Sequence, residues 1–142
     1  MRILGIDYGD ARVGIAITDE LMITVHGLET IHHNGNDKVV LKRLDEILEE
    51  YGDVSTFVIG MPFNMNGTSS ERVDITNKFL HKIKCKYNNI KIETIDERLT
   101  TVAAHKIMND LNVNKKKKKN IVDTISAEYI LEMYLNKKKG EI

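Results

Sequence analysis

The chain begins with an apolar run that ends on a charge. Ile3, Leu4 and Ile6 lead directly into Asp7, then Tyr8, Gly9, Asp10, Ala11 and Arg12, and a second apolar run extends from Val13 to Ile17. Two short apolar runs parted by a segment containing Gly and Asp read as a β-hairpin. Burying an unpaired carboxylate is expensive, so a strand that ends on Asp7 leaves its oxygens within reach of water, a metal or a substrate. Two readings of Asp7 follow. It caps the turn by bonding nearby backbone amides, or it is a metal-binding or catalytic carboxylate fixed at a strand end.

The rest of the chain alternates strands with helices. Leu21 to Ile31, with Ile23, Val25 and Leu28, reads as a third strand completing an antiparallel meander. Asn36 or Asp37 caps a helix running to about Tyr51, in which Val40, Leu41, Leu44, Ile47 and Leu48 recur at helical spacing and Gly52 stops the pattern. Phe57-Val-Ile59 suits a central strand covered on both faces, followed by the turn-rich loop Gly60 to Gly67. Thr68-Ser-Ser-Glu71 matches a capping box, predicting a second helix from near Ser69. Ile90 to Ile95 alternates as a fifth strand and delivers Asp96, Glu97 and Arg98 at its end. A helix from Thr100 or Thr101 to Leu111, a lysine loop at Lys115 to Lys119 and a last helix from about Ile121 to Asn136 complete the chain. The order βββαβαβα predicts an α/β fold, a mixed five-stranded sheet with helices on both faces.

At 142 residues the chain has the length of one domain, predicted to span 1–142. The pattern Gly5-Ile-Asp-Tyr-Gly9 occurs in RNase H-like nucleases and resolvases and also in actin-like sugar kinases. The kinases close two such domains on a nucleotide, and one domain argues against them. No segment approaches the ~20 apolar residues of a membrane span, and the early Asp7 and Asp10 do not suit a signal peptide. The single cysteine, Cys85, forms no internal disulfide, which fits a reduced cytoplasm. His26, His32 and His33 occupy strand and turn positions on a polar edge, which explains them without a metal.

Asp7 and Glu97 each end a strand. If those strands are parallel neighbours, both carboxylates reach the sheet edge where open α/β sheets place their ligands. Asp123 lies in the first turn of the last predicted helix, one turn before Ala127. Taken singly, Asp123 suits a helix N-terminus and Glu97 an ion pair with Arg98. Together the three form a hard-cation site of the kind Mg²⁺ takes, and two such ions about 4 Å apart activate water for phosphodiester hydrolysis.

Four ordered motifs, Gly5 to Gly14, Gly60 to Gly67, Asp96 to Thr101 and the helix bearing Asp123, resemble the YqgF/RuvX family over nearly the whole chain. The resemblance implies an RNase H-like fold and a cytoplasmic nuclease, acting in 5′-end processing of pre-16S ribosomal RNA or as a Holliday-junction resolvase. It implies that Asp7, Glu97 and Asp123 are the catalytic, metal-binding triad for Mg²⁺ or Mn²⁺, with two ions. Where the related RuvC resolvases carry a glutamate on the central strand, this chain has Gly60, and its acid comes from the Asp96-Glu97 strand. Adjacent strand residues point oppositely, so Asp96 competes with Glu97 on the residues alone, and the family motif selects Glu97.

Arg12 and Arg98 are candidate phosphate ligands, for which a bidentate guanidinium is suited, with structural salt bridges as the alternative. Asn64, Asn66 and Gly67 are candidates to line a substrate groove or to serve a turn. Lys117 and Lys118 lie within the lysine run preceding Asp123, where their charges would hold a backbone without reading sequence. The expected partner is structured RNA or branched DNA, with the ribosome as a further candidate, no membrane, and a monomer or homodimer. A non-catalytic assembly module that binds nucleic acid is the competing expectation.

Overall fold

The computed structural model describes residues 1–62, 71–96 and 115–140, apart from the side chains of 115–123 and 140. Five strands, β1 (Arg2–Tyr8), β2 (Arg12–Thr18), β3 (Val25–His32), β4 (Val54–Met61) and β5 (Lys91–Asp96), form one sheet in the order β3-β2-β1-β4-β5. The meander β1-β2-β3 is antiparallel, and β4 runs parallel to both β1 and β5. Three helices accompany the sheet: α1 (Asp37–Tyr51), α2 (Glu71–Lys86) and α3 (Lys115–Gly140).

The period of two in the strands sorts their side chains onto two cores. Leu4, Ile6 and Tyr8 of β1, with Val13, Ile15, Phe57 and Ile59, pack against Val40, Leu44 and Ile47 of α1 and Phe79 and Ile83 of α2. Ile3, Ala16, Val58 and Ile95 face the other way and meet Ala127, Ile130, Leu131 and Tyr134 of α3. Each large side chain buried this way contributes roughly 1.5–3 kcal/mol. Helices therefore cover both faces, as the alternation of strands and helices implies.

The bounds of α1 follow from its capping residues. The Asn36 side chain accepts a hydrogen bond from the Lys38 N–H at 3.1 Å, and Gly52, in the left-handed region at φ 68, donates its N–H to the Leu48 carbonyl. Asn36→Ala is expected to cost about 1 kcal/mol, lowering the thermal midpoint by about 2–4 °C. Calorimetric scanning of both proteins checks this.

Three elements differ from the sequence expectation. The third strand starts at Val25 rather than Leu21, because Asp19 Oδ1 accepts the N–H groups of Ile23 and Thr24 at 2.7 and 3.2 Å. That capture draws Leu21 to Ile23 into a turn with Met22 at φ 59. The central strand extends from Val54 to Met61, beyond the apolar triplet at its middle. The last helix begins at Lys115 and ends at Gly140, so the expected lysine loop is helix. Lysine is a good helix former, and a run without apolar period gives no sequence signal of where the helix starts. Asp123 consequently lies eight residues inside the helix (123 − 115), not in its first turn. The helix expected between Thr100 and Leu111 lies outside the described residues, as does most of the Gly60 to Ser70 segment.

Candidate functional site

β1, β4 and β5 run parallel, so their C-terminal ends reach one edge of the sheet. The β1–β2 hairpin turns at that edge. Its turn is closed by the Gly9 N–H donating to the Arg12 carbonyl at 2.9 Å. A Cβ on Gly9 would lie 2.7 Å from that same carbonyl oxygen, so only glycine fits. The connection from β3 to α1 braces the turn from outside. His33 and Asn34 donate their N–H groups to the Ala11 carbonyl at 2.9 and 3.2 Å.

The His33 ring completes the brace. Gly35 donates its N–H to Nδ1 at 3.1 Å, so Nε2 carries the proton and donates it to the Gly9 carbonyl at 2.8 Å. Both ring nitrogens are thus engaged, and His33 has no lone pair left for a metal. His26 Nε2 lies 3.2 Å from the Thr24 hydroxyl. Among the described residues no group of three His, Cys, Asp or Glu side chains could hold a metal ion.

Tyr8 anchors the edge below. Its ring packs on Phe79 at 4.1 Å and lies 5.5 Å from His33. Its hydroxyl donates to Asp37, which also accepts from Lys82 at 2.9 Å. Burial, then the Asp37 hydrogen bond and the charges of Asp37 and Asp10, hold the Tyr8 phenol well above its ordinary range. Burial and a hydrogen bond to Asp45 do the same for Tyr87. A phenol whose folded value is raised contributes stability that is complete below pH ~10 and lost as pH rises towards the folded value. Two of the five tyrosines are therefore expected to ionise only as the protein unfolds. An alkaline titration of tyrosinate absorbance, followed alongside circular dichroism, checks this.

Asp7 stands at the centre of this edge, half-buried, with glycine on both sides. Across the antiparallel ladder it pairs with Gly14. On the parallel side Ile6 pairs with Ile59, so Gly60 is the next residue of β4 just as Asp7 is the next of β1. Directly paired residues share a face, so Asp7, Gly14 and Gly60 share the α3 face with Ile3, Ala16 and Val58. The result is a carboxylate in a trough that neither neighbouring strand fills with a side chain. A cleft of about 290 Å³ opens here, and Asp7, Asp10, Arg12 and Arg72 line it together with the turn.

Of the residues singled out from the sequence, the structure brings Asp7 and Arg12 into this one cleft. β5 is not the neighbour of β1: β4 lies between them, with Gly60 opposite Ile95. Asp123, Lys117 and Lys118 lie on α3. Glu97, Arg98 and Asn64 lie outside the described residues. Two lining residues escaped the sequence reading, Asp10 and Arg72. Arg72 had one available signal: a cation near the start of a helix opposes the helix dipole and invites another explanation.

The family model described as RuvX, Holliday junction resolvase, matches residues 1–137. The chain belongs to the RuvX family. A relative from Acetivibrio thermocellus, named "Putative pre-16S rRNA nuclease", is 48% identical over 138 residues, covering 97% of both chains. A Ruminiclostridium cellulolyticum relative of the same name is 50% identical over 142 residues, covering 99% of this chain and 97% of its own. Among solved structures, RuvC from T. thermophilus in complex with a Holliday junction substrate superposes with TM-score 0.56 at 12% identity, covering 96% of this chain and 95% of that one. The fowlpox virus Holliday junction resolvase gives TM-score 0.58 at 17% identity, covering 97% and 99%. This RuvX chain therefore has the RNase H-like fold of those resolvases.

Proposed function

We propose that this RuvX protein is a metal-dependent nuclease that hydrolyses phosphodiester bonds in 5′-end processing of pre-16S ribosomal RNA. The observation that carries the reading is Asp7, a carboxylate in a glycine-walled trough at the edge where three parallel strands end. The names of the RuvX relatives at 48–50% identity support the choice of reaction and RNA.

The donor set suits a divalent cation with hard character. Carboxylate oxygens are what Mg²⁺ and Mn²⁺ take, and His33, whose ring braces the turn beside the cleft, has both nitrogens engaged. Asp7, Glu97 and Asp123 would hold the metal, as one ion or two. When bound it supplies an activated water and neutralises charge on the scissile phosphate.

Two register arguments support the set. Ile92 packs towards α1 and α2, and Ile95 packs towards α3. Asp96 shares the parity of Ile92 and so belongs to the face of the sheet away from Asp7, which supports the family motif's choice of Glu97 over Asp96. Position 123 precedes Ala127 by four residues and Ile130 by seven, the spacing of the sheet-facing stripe of α3. A Cβ on Gly5 would meet the Ala127 carbonyl at 2.9 Å. Four helical residues rise about 6 Å and two strand residues about 6.6 Å, so position 123 comes level with Asp7.

Arg12, Arg98, Asn64, Lys117 and Lys118 bind the sugar-phosphate backbone in this reading. The guanidinium groups hold the scissile phosphate, and the lysines hold the strand beyond it. We assign the activity to the cytoplasm and to one domain over 1–142. No described helix is long and apolar enough to cross a membrane.

Resolution of a four-way DNA junction is the second reading, favoured by the fold shared with RuvC. Incubating the purified protein and Mg²⁺ or Mn²⁺ with a labelled rRNA precursor and a labelled four-way junction separates the two. Trimming of the precursor alone is expected. Symmetric cutting of the junction alone would favour the resolvase and a dimer. Binding of either polymer without metal-dependent cutting would favour a non-catalytic assembly module.

A further inference from the structure

Arg72, Ile75, Lys78, Lys82 and Lys86 follow one another on α2 at intervals of three or four residues. They form one flank of the helix, beside the buried stripe of Val73, Thr76, Phe79, Leu80 and Ile83. The four cations divide into two pairs. Lys82 and Lys86 are bound to α1 carboxylates, Asp37 at 2.9 Å and Asp45 at 2.7 Å. Arg72 and Lys78 are exposed and, among the described residues, carry no ion pair. Arg2 and Arg43, by contrast, each bridge two carboxylates.

The two unpaired cations line adjoining clefts. Arg72 lines the cleft that contains Asp7. Lys78 lines a second cleft of about 270 Å³ on the α1–α2 side, together with Lys82 and Asp37. Tyr8 and Asp10 line both, so the two clefts meet at the hairpin rim. From position 72 to position 78 the helix rises about 9 Å.

We infer that the Arg72–Lys78 flank of α2 is a track for a nucleic-acid backbone, leading the strand out of the Asp7 cleft, past Asp10 and onto the α1–α2 face. The inference rests on the nuclease reading and extends it. It assigns two phosphate contacts to α2, a helix that packs on the face of the sheet opposite α3 and that the family resemblance does not single out. The track reads charge alone, so it is indifferent to base sequence. Asp10 is the like charge that the strand passes between them.

The test is binding of a labelled, short single-stranded RNA in metal-free buffer across a salt series, so cleavage plays no part. Each phosphate contact on a single strand contributes about 0.7 to the slope of log affinity against log salt. Replacing Arg72 and Lys78 together with Ala is expected to reduce the slope by about 1.4 and to weaken binding roughly ten- to thirtyfold at 0.1 M salt. Lys42→Ala, an exposed cation on α1 outside both clefts, serves as the control and is expected to leave the slope unchanged. Asp10→Asn is expected to tighten binding, and weaker binding in that variant would overturn the route. Wild-type affinity and slope in the double variant would overturn the track while leaving the nuclease reading intact. Failure of the wild type to bind would overturn both.

Discussion

Asp7→Asn is expected to lower the cleavage rate by about a thousandfold or more while leaving RNA affinity in metal-free buffer unchanged. The substitution keeps the shape of the side chain and removes its charge, so the trough between Gly14 and Gly60 keeps its form. What the proposed metal centre would lose is one anionic ligand. A metal-borne charge stabilises a phosphoryl transition state by several kcal/mol, and about 4 kcal/mol corresponds to a factor of about a thousand. Single-turnover cleavage of a labelled rRNA precursor, run beside a binding titration, separates the two quantities. A variant that cleaves within tenfold of wild type would remove Asp7 from the chemistry.

Gly5→Val is expected to have the largest effect on stability, and to reach the site through the fold. Gly5 sits under α3 so tightly that a Cβ would lie 2.6 Å from Leu131 Cγ and 2.9 Å from the Ala127 carbonyl oxygen. The leucine can turn aside, but the carbonyl belongs to the helix backbone and moves only with the helix. Overpacking of this kind costs about 3 kcal/mol, a fall of roughly 10 °C in the thermal midpoint. The helix that shifts carries Asp123, so cleavage is expected to fall further than the folded fraction does. Adding Leu131→Ala relieves one of the two clashes and is expected to restore part of the stability at most. Full recovery in the double variant would mean that the backbone contact does not seat the helix.

Much of this architecture can be read from local pattern. The hairpin is visible because apolar runs flank a segment that only a turn accommodates. α1 is visible because Asn36, the spacing of Val40, Leu44 and Ile47, and Gly52 all agree. Where two local signals conflict, the pattern misleads: Leu21 to Ile23 look like strand, yet Asp19 binds their end into a turn. The start of α3 is hidden because five consecutive lysines have no apolar period to mark a face.

The site is legible only in part, for a different reason. Asp7 declares itself as a charge ending an apolar strand. The glycines beside it do not, since Gly14 and Gly60 become its neighbours only through strand order and register. Asp10 and Arg72 likewise meet because α2 packs its Phe79 on Tyr8, a contact across more than seventy residues (79 − 8) of chain. Local sequence carries the chemistry of each group, and tertiary packing decides which groups share a cleft.

The central claim is that Asp7, Glu97 and Asp123 act as one metal centre, and binding of Mn²⁺ measured by calorimetry tests it most directly. The wild type is expected to bind the ion at a site that Asp7→Asn, Glu97→Gln and Asp123→Asn each weaken at least tenfold, with circular dichroism showing all three folded. Mn²⁺ binding that is unchanged in the three folded variants would contradict the account.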